Sequence, residues 1–165
     1  MEIRVRKATA EDYDPLCELF DEGDALHRDH LPHIFQQPNG PAREKDYYLG
    51  LLADDNVALL IAEANAHLVG YVQAYLRDAP ALPIFVSRHY AVVDAVVVSL
   101  EFQHQGIGRR LMDEAQAWAM ARGATSIELN VYEFNETAIA FYESLGYRSL
   151  SRKMSKELRT DEAAG

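Results

Sequence analysis

Apolar positions in this chain repeat with two periods, and each change of period separates a strand from a helix. Ile3-Arg4-Val5-Arg6 alternates apolar and charged residues and predicts a first strand. Thr9-Ala10-Glu11-Asp12 reads as a capping box with Asp in place of Glu, opening a helix to about Gly23 that buries Tyr13, Leu16, Leu19 and Phe20. Past the loop Gln37-Pro38-Asn39-Gly40-Pro41, residues Arg43 to Leu52 read as a short helix with Tyr47, Tyr48 and Leu51 inward. Val57 to Ala62 and His67 to Tyr75 form an expected antiparallel hairpin around the polar turn Glu63-Ala64-Asn65-Ala66. Asp78 to Pro83 is a connector, and Phe85 to Tyr90 leads into Val92-Val93-Asp94-Ala95-Val96-Val97-Val98. That stretch is apolar and β-branched nearly throughout, the pattern of a strand buried on both faces. Ile107, Leu111, Ala115, Trp118 and Ala119 then repeat at helical spacing. Thr125 to Tyr132 predicts a fifth strand, followed by a helix headed by Asn135. Tyr147 to Leu150 and Arg152 to Leu158 are expected as closing strands, with a frayed tail from Arg159 to Gly165.

Length and composition make this one ordinary globular domain, residues 1–158, with 48% hydrophobic and 25% charged residues among 165. No run approaches a membrane-spanning helix, and the residues after Met1 contain no signal-peptide core. The single Cys17 excludes an internal disulfide and suits the cytoplasm; beside Leu16 and Leu19 it reads as a small core residue. A net charge of −10 argues against a nucleic-acid partner. The acids either favour a cationic acceptor, with Asp21, Glu22, Asp24 and Asp29 as its greeting surface, or serve only as a solvated face.

The chemistry concentrates after the apolar strand, in Gln103-His104-Gln105-Gly106-Ile107-Gly108. A glycine-bearing strand-to-helix turn leaves backbone N–H groups unpaired at the positive end of a helix, which suits an anion. Arg109 and Arg110 occupy the first helical turn, where the dipole disfavours cations unless a phosphate offsets them. On these residues alone, an ordinary turn with solvated arginines stays open. A dinucleotide fingerprint does not, because Leu111 stands where its third glycine is required. Asn135 and Tyr142 lie seven residues apart on the next helix, on one face and about 10 Å apart along the axis.

Gln103-x-x-Gly106-x-Gly108, followed by Asn135-x-x-Ala138-x-x-Phe141-Tyr142-x-x-x-Gly146-Tyr147, resembles the acetyl-CoA site of the GCN5-related N-acetyltransferase (GNAT) superfamily. The resemblance implies an α/β fold, a mixed sheet of six to seven strands flanked by about four helices. It implies acetyl-CoA as co-substrate, bound by Gln103, His104, Gln105, Gly106, Ile107, Gly108 and Arg109, with its pyrophosphate on the backbone N–H groups from Gln105 to Arg109. Its pantetheine would lie along Val96, Val97 and Val98, with Asn135 as a side-chain contact. Asn135 also suits a helix N-cap, and the two roles are compatible. Tyr142 matches the residue that protonates the departing thiolate, the competing reading being a core tyrosine beside Ile139 and Leu145. Asp94 is the one acid inside the apolar strand; it is read either as the base for the acceptor amine or as a structural partner of a neighbouring strand.

The function implied is transfer of the acetyl group to a primary amine (a small amine, an amino acid or a protein amino group) in a ternary complex. The alternative is a non-catalytic acyl-CoA-binding module, against which Tyr142 tells. No metal site is expected: His27, His30 and His33 are spaced by three, but Pro32 breaks the helix that would align them. Dimerisation is common in the resembled family, so a homodimer is among the expectations.

Overall fold

The computed structural model describes residues 1–159. Five strands form one sheet in the order β1 (Ile3–Lys7), β2 (Val57–Ala64), β3 (His67–Asp78), β4 (His89–Val98), β5 (Ser126–Leu129). The first four pair antiparallel and β5 runs parallel to β4. The parallel step requires a crossover, which α3 (Ile107–Ala121) supplies. Helix α1 (Tyr13–His30) and α2 (Lys45–Ala53) cover one face, and α3 and α4 (Glu136–Ser144) the other.

Two cores result, and the period of two along β2 feeds both. Ala58, Leu60 and Ala62 point toward α3, against Ile107, Leu111, Ala115 and Trp118. Leu59 and Ile61 point the other way, against Leu16, Leu19 and Phe20 of α1 and Tyr48 of α2. Tyr47 is exposed, so of the two tyrosines only Tyr48 turns inward.

Three expectations are corrected by packing. Helix α1 does not stop at Gly23 but runs to His30. A Cβ on Gly23 would lie 2.7 Å from a methyl of Val97, so this glycine lets the helix approach β4 instead of ending it. The helix ends at Leu31, held out of the α region by the following Pro32. Second, β4 is not buried on both faces: its first half is, but Asp94 is exposed and residues 95–98 are half-buried. Third, the described residues hold five strands, not six or seven. Only Ser151 separates the two expected closing strands, and a hairpin reversal takes at least two residues. Arg148 to Arg159 belong to no strand or helix, and the rest of the expected tail, 160–165, lies outside the described residues.

Candidate active site

The glycine turn is built for an open backbone. Gly106 has φ +79° and caps α3, and a Cβ there would meet nothing within 4 Å. The glycine is needed for its dihedral, and the space beside it is open. No side chain caps the turn, so the first N–H groups of α3, at Ile107, Gly108 and Arg109, have no intrahelical acceptor. Arg109 and Arg110 are exposed beside them. His104 adopts φ +62°, a left-handed conformation uncommon for a residue with a side chain. Gln103 fastens the turn to the sheet, its Nε2 donating to the Val98 carbonyl at 3.0 Å, and Gln105 donates to the Glu101 carbonyl at 3.3 Å.

Gly108 has a different purpose. A Cβ there would stand 3.2 Å from the Phe141 ring and 3.7 Å from a Val98 methyl. The first turn of α3, the end of β4 and the middle of α4 therefore meet at one point that only glycine fits comfortably. Val96 to Val98 pair with β3 on one side, but β5 ends at Leu129, opposite Val93. From Asp94 onward β4 has no strand on its other side among the described residues, which leaves backbone N–H and C=O groups for a ligand.

Asp94 owes its exposure to a β-bulge. Gln73 pairs with Ala95 and Ala74 with Val93, so Asp94 is the extra residue. The bulge also reverses the alternation: Val93 and Val96 pack toward α3, whereas Ala95 and Val97 pack toward α1. The Asp94 charge acts on the buried Tyr71 phenol, whose pKa is raised mainly by burial, with smaller effects from Arg43, Asp24 and Asp94.

Asn135 caps α4, its Oδ1 accepting from the Ala138 N–H at 3.2 Å, which leaves Nδ2 as a donor. Tyr142 is half-buried against Phe141 and Tyr147, with ring centroids 5.4 and 5.9 Å away. Burial pushes its phenol up to about 12, so it is protonated at neutral pH.

On the α1 side three of the four candidate acids are already engaged, while Asp29 is exposed. Asp21 pairs with Arg28 at 3.0 Å, Asp24 pairs with Arg43, and Glu22 accepts the Leu100 N–H at 2.7 Å. Glu22 thereby ties α1 to the turn that precedes Gln103. A cavity of about 260 Å³, lined by Asp24, Arg28, Phe35 and Arg43 among others, lies between α1 and the loop to α2. Arg28 Nη1 is buried without an acceptor among the described residues.

An aromatic cluster absent from the sequence reading bridges the two halves of the cleft. His27 packs against Phe35, Tyr132 and Phe134 at 5.4, 5.6 and 5.8 Å, and His30 stacks on Phe134 at 4.3 Å. The Nδ1 atoms of both histidines bond to helix carbonyls, Gly23 and Leu26. Tyr132-x-Phe134 just before Asn135 was the available signal, but the partner histidines are about a hundred residues away.

The model of the acetyltransferase (GNAT) family matches residues 21–147, from the middle of α1 to the end of the α4 motif. The chain belongs to the GNAT acetyltransferase family. An uncharacterized N-acetyltransferase of Archaeoglobus fulgidus is 32% identical over 104 residues, 63% of this chain and 69% of the relative. Another, of Methanocaldococcus jannaschii, is 27% identical over 87% of this chain, which spans only 59% of that relative. Among solved GNAT-like structures, a Bacillus halodurans protein determined as a tetramutant superimposes with a TM-score of 0.88 at 26% identity, covering 94% of this chain and 99% of its own. An aminoglycoside N-acetyltransferase in complex with CoA shares the fold, with a TM-score of 0.73 at 16% identity over 96% of each chain.

Proposed function

We propose that this GNAT protein moves the acetyl group of acetyl-CoA to a primary amine by direct transfer within a ternary complex. The observation that carries the reading is the close approach at Gly108. It brings an uncapped helix N-terminus, the open edge of β4 and the helix bearing Tyr142 to one place. The residues fit the donor in kind: free N–H groups from Gly106 to Arg109 suit a pyrophosphate, and the edge of Val96 to Val98 suits the pantetheine amides. Bound there, acetyl-CoA supplies a thioester carbonyl open to attack by the acceptor nitrogen. Asn135 keeps its cap bond and offers Nδ2 to the same ligand.

Tyr142 is the thiolate-side residue. With its phenol up at about 12, full proton transfer to a thiolate of ordinary basicity, near 8.5, runs uphill. Its contribution is therefore a hydrogen bond that strengthens as charge grows on sulfur, while the second proton of the attacking nitrogen passes to that sulfur and CoA leaves as the thiol. Asp94, turned out of the ladder by the bulge toward the α1 face, takes the ammonium proton of the acceptor, directly or through water. The acceptor enters beside the Arg28–Arg43 cavity. Because Asp21, Glu22 and Asp24 already have partners there, this side favours an amine that carries oxygen groups over a bare polycation.

Calorimetry with acetyl-CoA is the first test. One micromolar site per chain, lost with a donor fragment lacking the pyrophosphate, supports the reading, and no binding up to millimolar donor ends it. CoA-thiol release over an amine panel, wild type against Tyr142→Phe, then separates an enzyme from a binding module. Tight donor binding without turnover of any amine would favour the module.

A further inference from the structure

Two arginines line one cavity on a chain whose net charge is −10. That cavity, of about 260 Å³ between α1 and the loop to α2, has Asp24, Arg28 and Arg43 as its charged residues. Arg43 is engaged twice: it pairs with Asp24, and its guanidinium lies 5.1 Å from the centre of the Phe20 ring. Arg28 is engaged only in part. Its Nη2 pairs at 3.0 Å with Asp21, whose side chain is 56% exposed and does not line the cavity. Its Nη1 is buried with no acceptor among the described residues. A buried charged donor left without an acceptor costs stability, which a ligand oxygen restores.

The chemistry of the missing acceptor follows from the donor. A guanidinium only donates, and it donates most strongly to an anionic oxygen. Arg28 forms part of the wall, so a small turn of its guanidinium meets an oxygen lodged in the cavity. A carboxylate suits the local charge better than a phosphate. Asp21 and Asp24 already offset the two arginines, and Asp24 lines the same cavity, so a second negative charge on the ligand would be repelled.

The cavity also adjoins the candidate chemistry. Gly23, next to Asp24, sits against Val97 of β4, and Arg28 lies about 7–8 Å further along α1. The Tyr71 phenol, raised chiefly by burial, is also influenced by Arg43, Asp24 and Asp94, so the candidate base and this cavity surround one buried side chain. Phe35 of the cavity wall lies 5.8 Å from Tyr132, just ahead of the helix that carries Tyr142.

We propose that the acceptor is an amino acid, a primary amine that carries a carboxylate, and that Arg28 anchors the carboxylate. The inference rests on the acetyl transfer proposed above and narrows its acceptor from primary amines at large to zwitterions. Polyamines and amino sugars bring no carboxylate and are excluded.

Calorimetry on the full chain in the presence of CoA reads binding without chemistry. The ligands are the common amino acids, β-alanine and 4-aminobutyrate, each against its carboxamide. At least one acid should bind more tightly than its amide by on the order of tenfold or more. Arg28→Gln should abolish that difference and leave CoA affinity unchanged, and Arg28→Lys, which keeps the charge without the fork, should recover only part of it. Thiol release from acetyl-CoA with the same pairs should show the preference chiefly in KM. Acid-selective binding that Arg28→Gln removes supports the anchor; if thiol release then fails with every acid, it is the acetyl transfer that falls. Amides turned over as readily as acids, or acid selectivity that survives Arg28→Gln, overturn the anchor and leave the transfer standing. Binding of no acid in preference to its amide overturns it too, as does tighter binding of phosphoethanolamine than of any acid.

Discussion

The two sides of β4 are held in opposite ways. Toward β2 and β3 the sheet is long-stranded and buried on both faces, with Ile61, Val72, Phe20 and Tyr48 removed from solvent. Toward β5 and α4 the strand is four residues, the helix is nine, and no residue of either is buried. The candidate chemistry lies on the second side. Asn135 and Tyr142 are positioned less by a core of their own than by contacts with α3, above all Phe141 against Gly108. A region of this kind opens at lower free energy than the rest of the domain, which suits a cleft that must admit a bulky ligand.

That contrast can be broken by mutation. Leu111→Ala, on the fully buried face of α3, should cost about 3–4 kcal/mol in denaturant unfolding, whereas Ile139→Ala on α4 should cost about 1. Equal losses would show that the α4 side is as firmly packed as the rest. Tyr142→Phe keeps the ring and removes the donor. Acetyl transfer should fall on the order of a hundredfold with acetyl-CoA affinity nearly unchanged, measured by thiol release and calorimetry. Since burial holds this phenol up at about 12, the wild-type pH–rate profile should show no decline attributable to it between pH 7 and about 10.

Smaller effects sharpen the comparison. Gly106→Ala forces a side chain into φ +79° and should cost about 1 kcal/mol, with weaker donor binding, while the well-packed β2–β3 side stays unchanged in hydrogen exchange. On that side the Arg6 guanidinium beside Asp12 holds the carboxyl down at about 2, below its ordinary 3.8. The folded value is the lower one, so the pair's contribution is full above about pH 4 and is lost as pH falls toward 2. It amounts to roughly 1 kcal/mol after screening, and Asp12→Asn should flatten that part of the acid-unfolding curve.

Much of the first side was legible because its signals are local. The apolar runs of β2 and β3 around their polar turn, the capping residues Thr9 and Asp12, and the helical spacing from Ile107 to Ala119 are each local in sequence. The glycine motif was legible for the same reason: Gly106 needs its dihedral whatever surrounds it. Gly23 was misread as a stop because its purpose, contact with Val97, lies seventy-four residues away. The His27 cluster and the Glu22 tie to Leu100 escaped notice on the same grounds.

By itself the sequence determined the elements, the open turn at Gly106 and the Asn135–Tyr142 spacing, since these follow from backbone sterics and from periods of two and 3.6 residues. Tertiary structure alone decided that Asp94 leaves the ladder, because a bulge depends on the register of two strands and not on either one. It likewise paired Asp21 and Asp24 of α1 with Arg28 and Arg43. Charge pairing is a matter of distance in space, to which the period of a single strand or helix is blind.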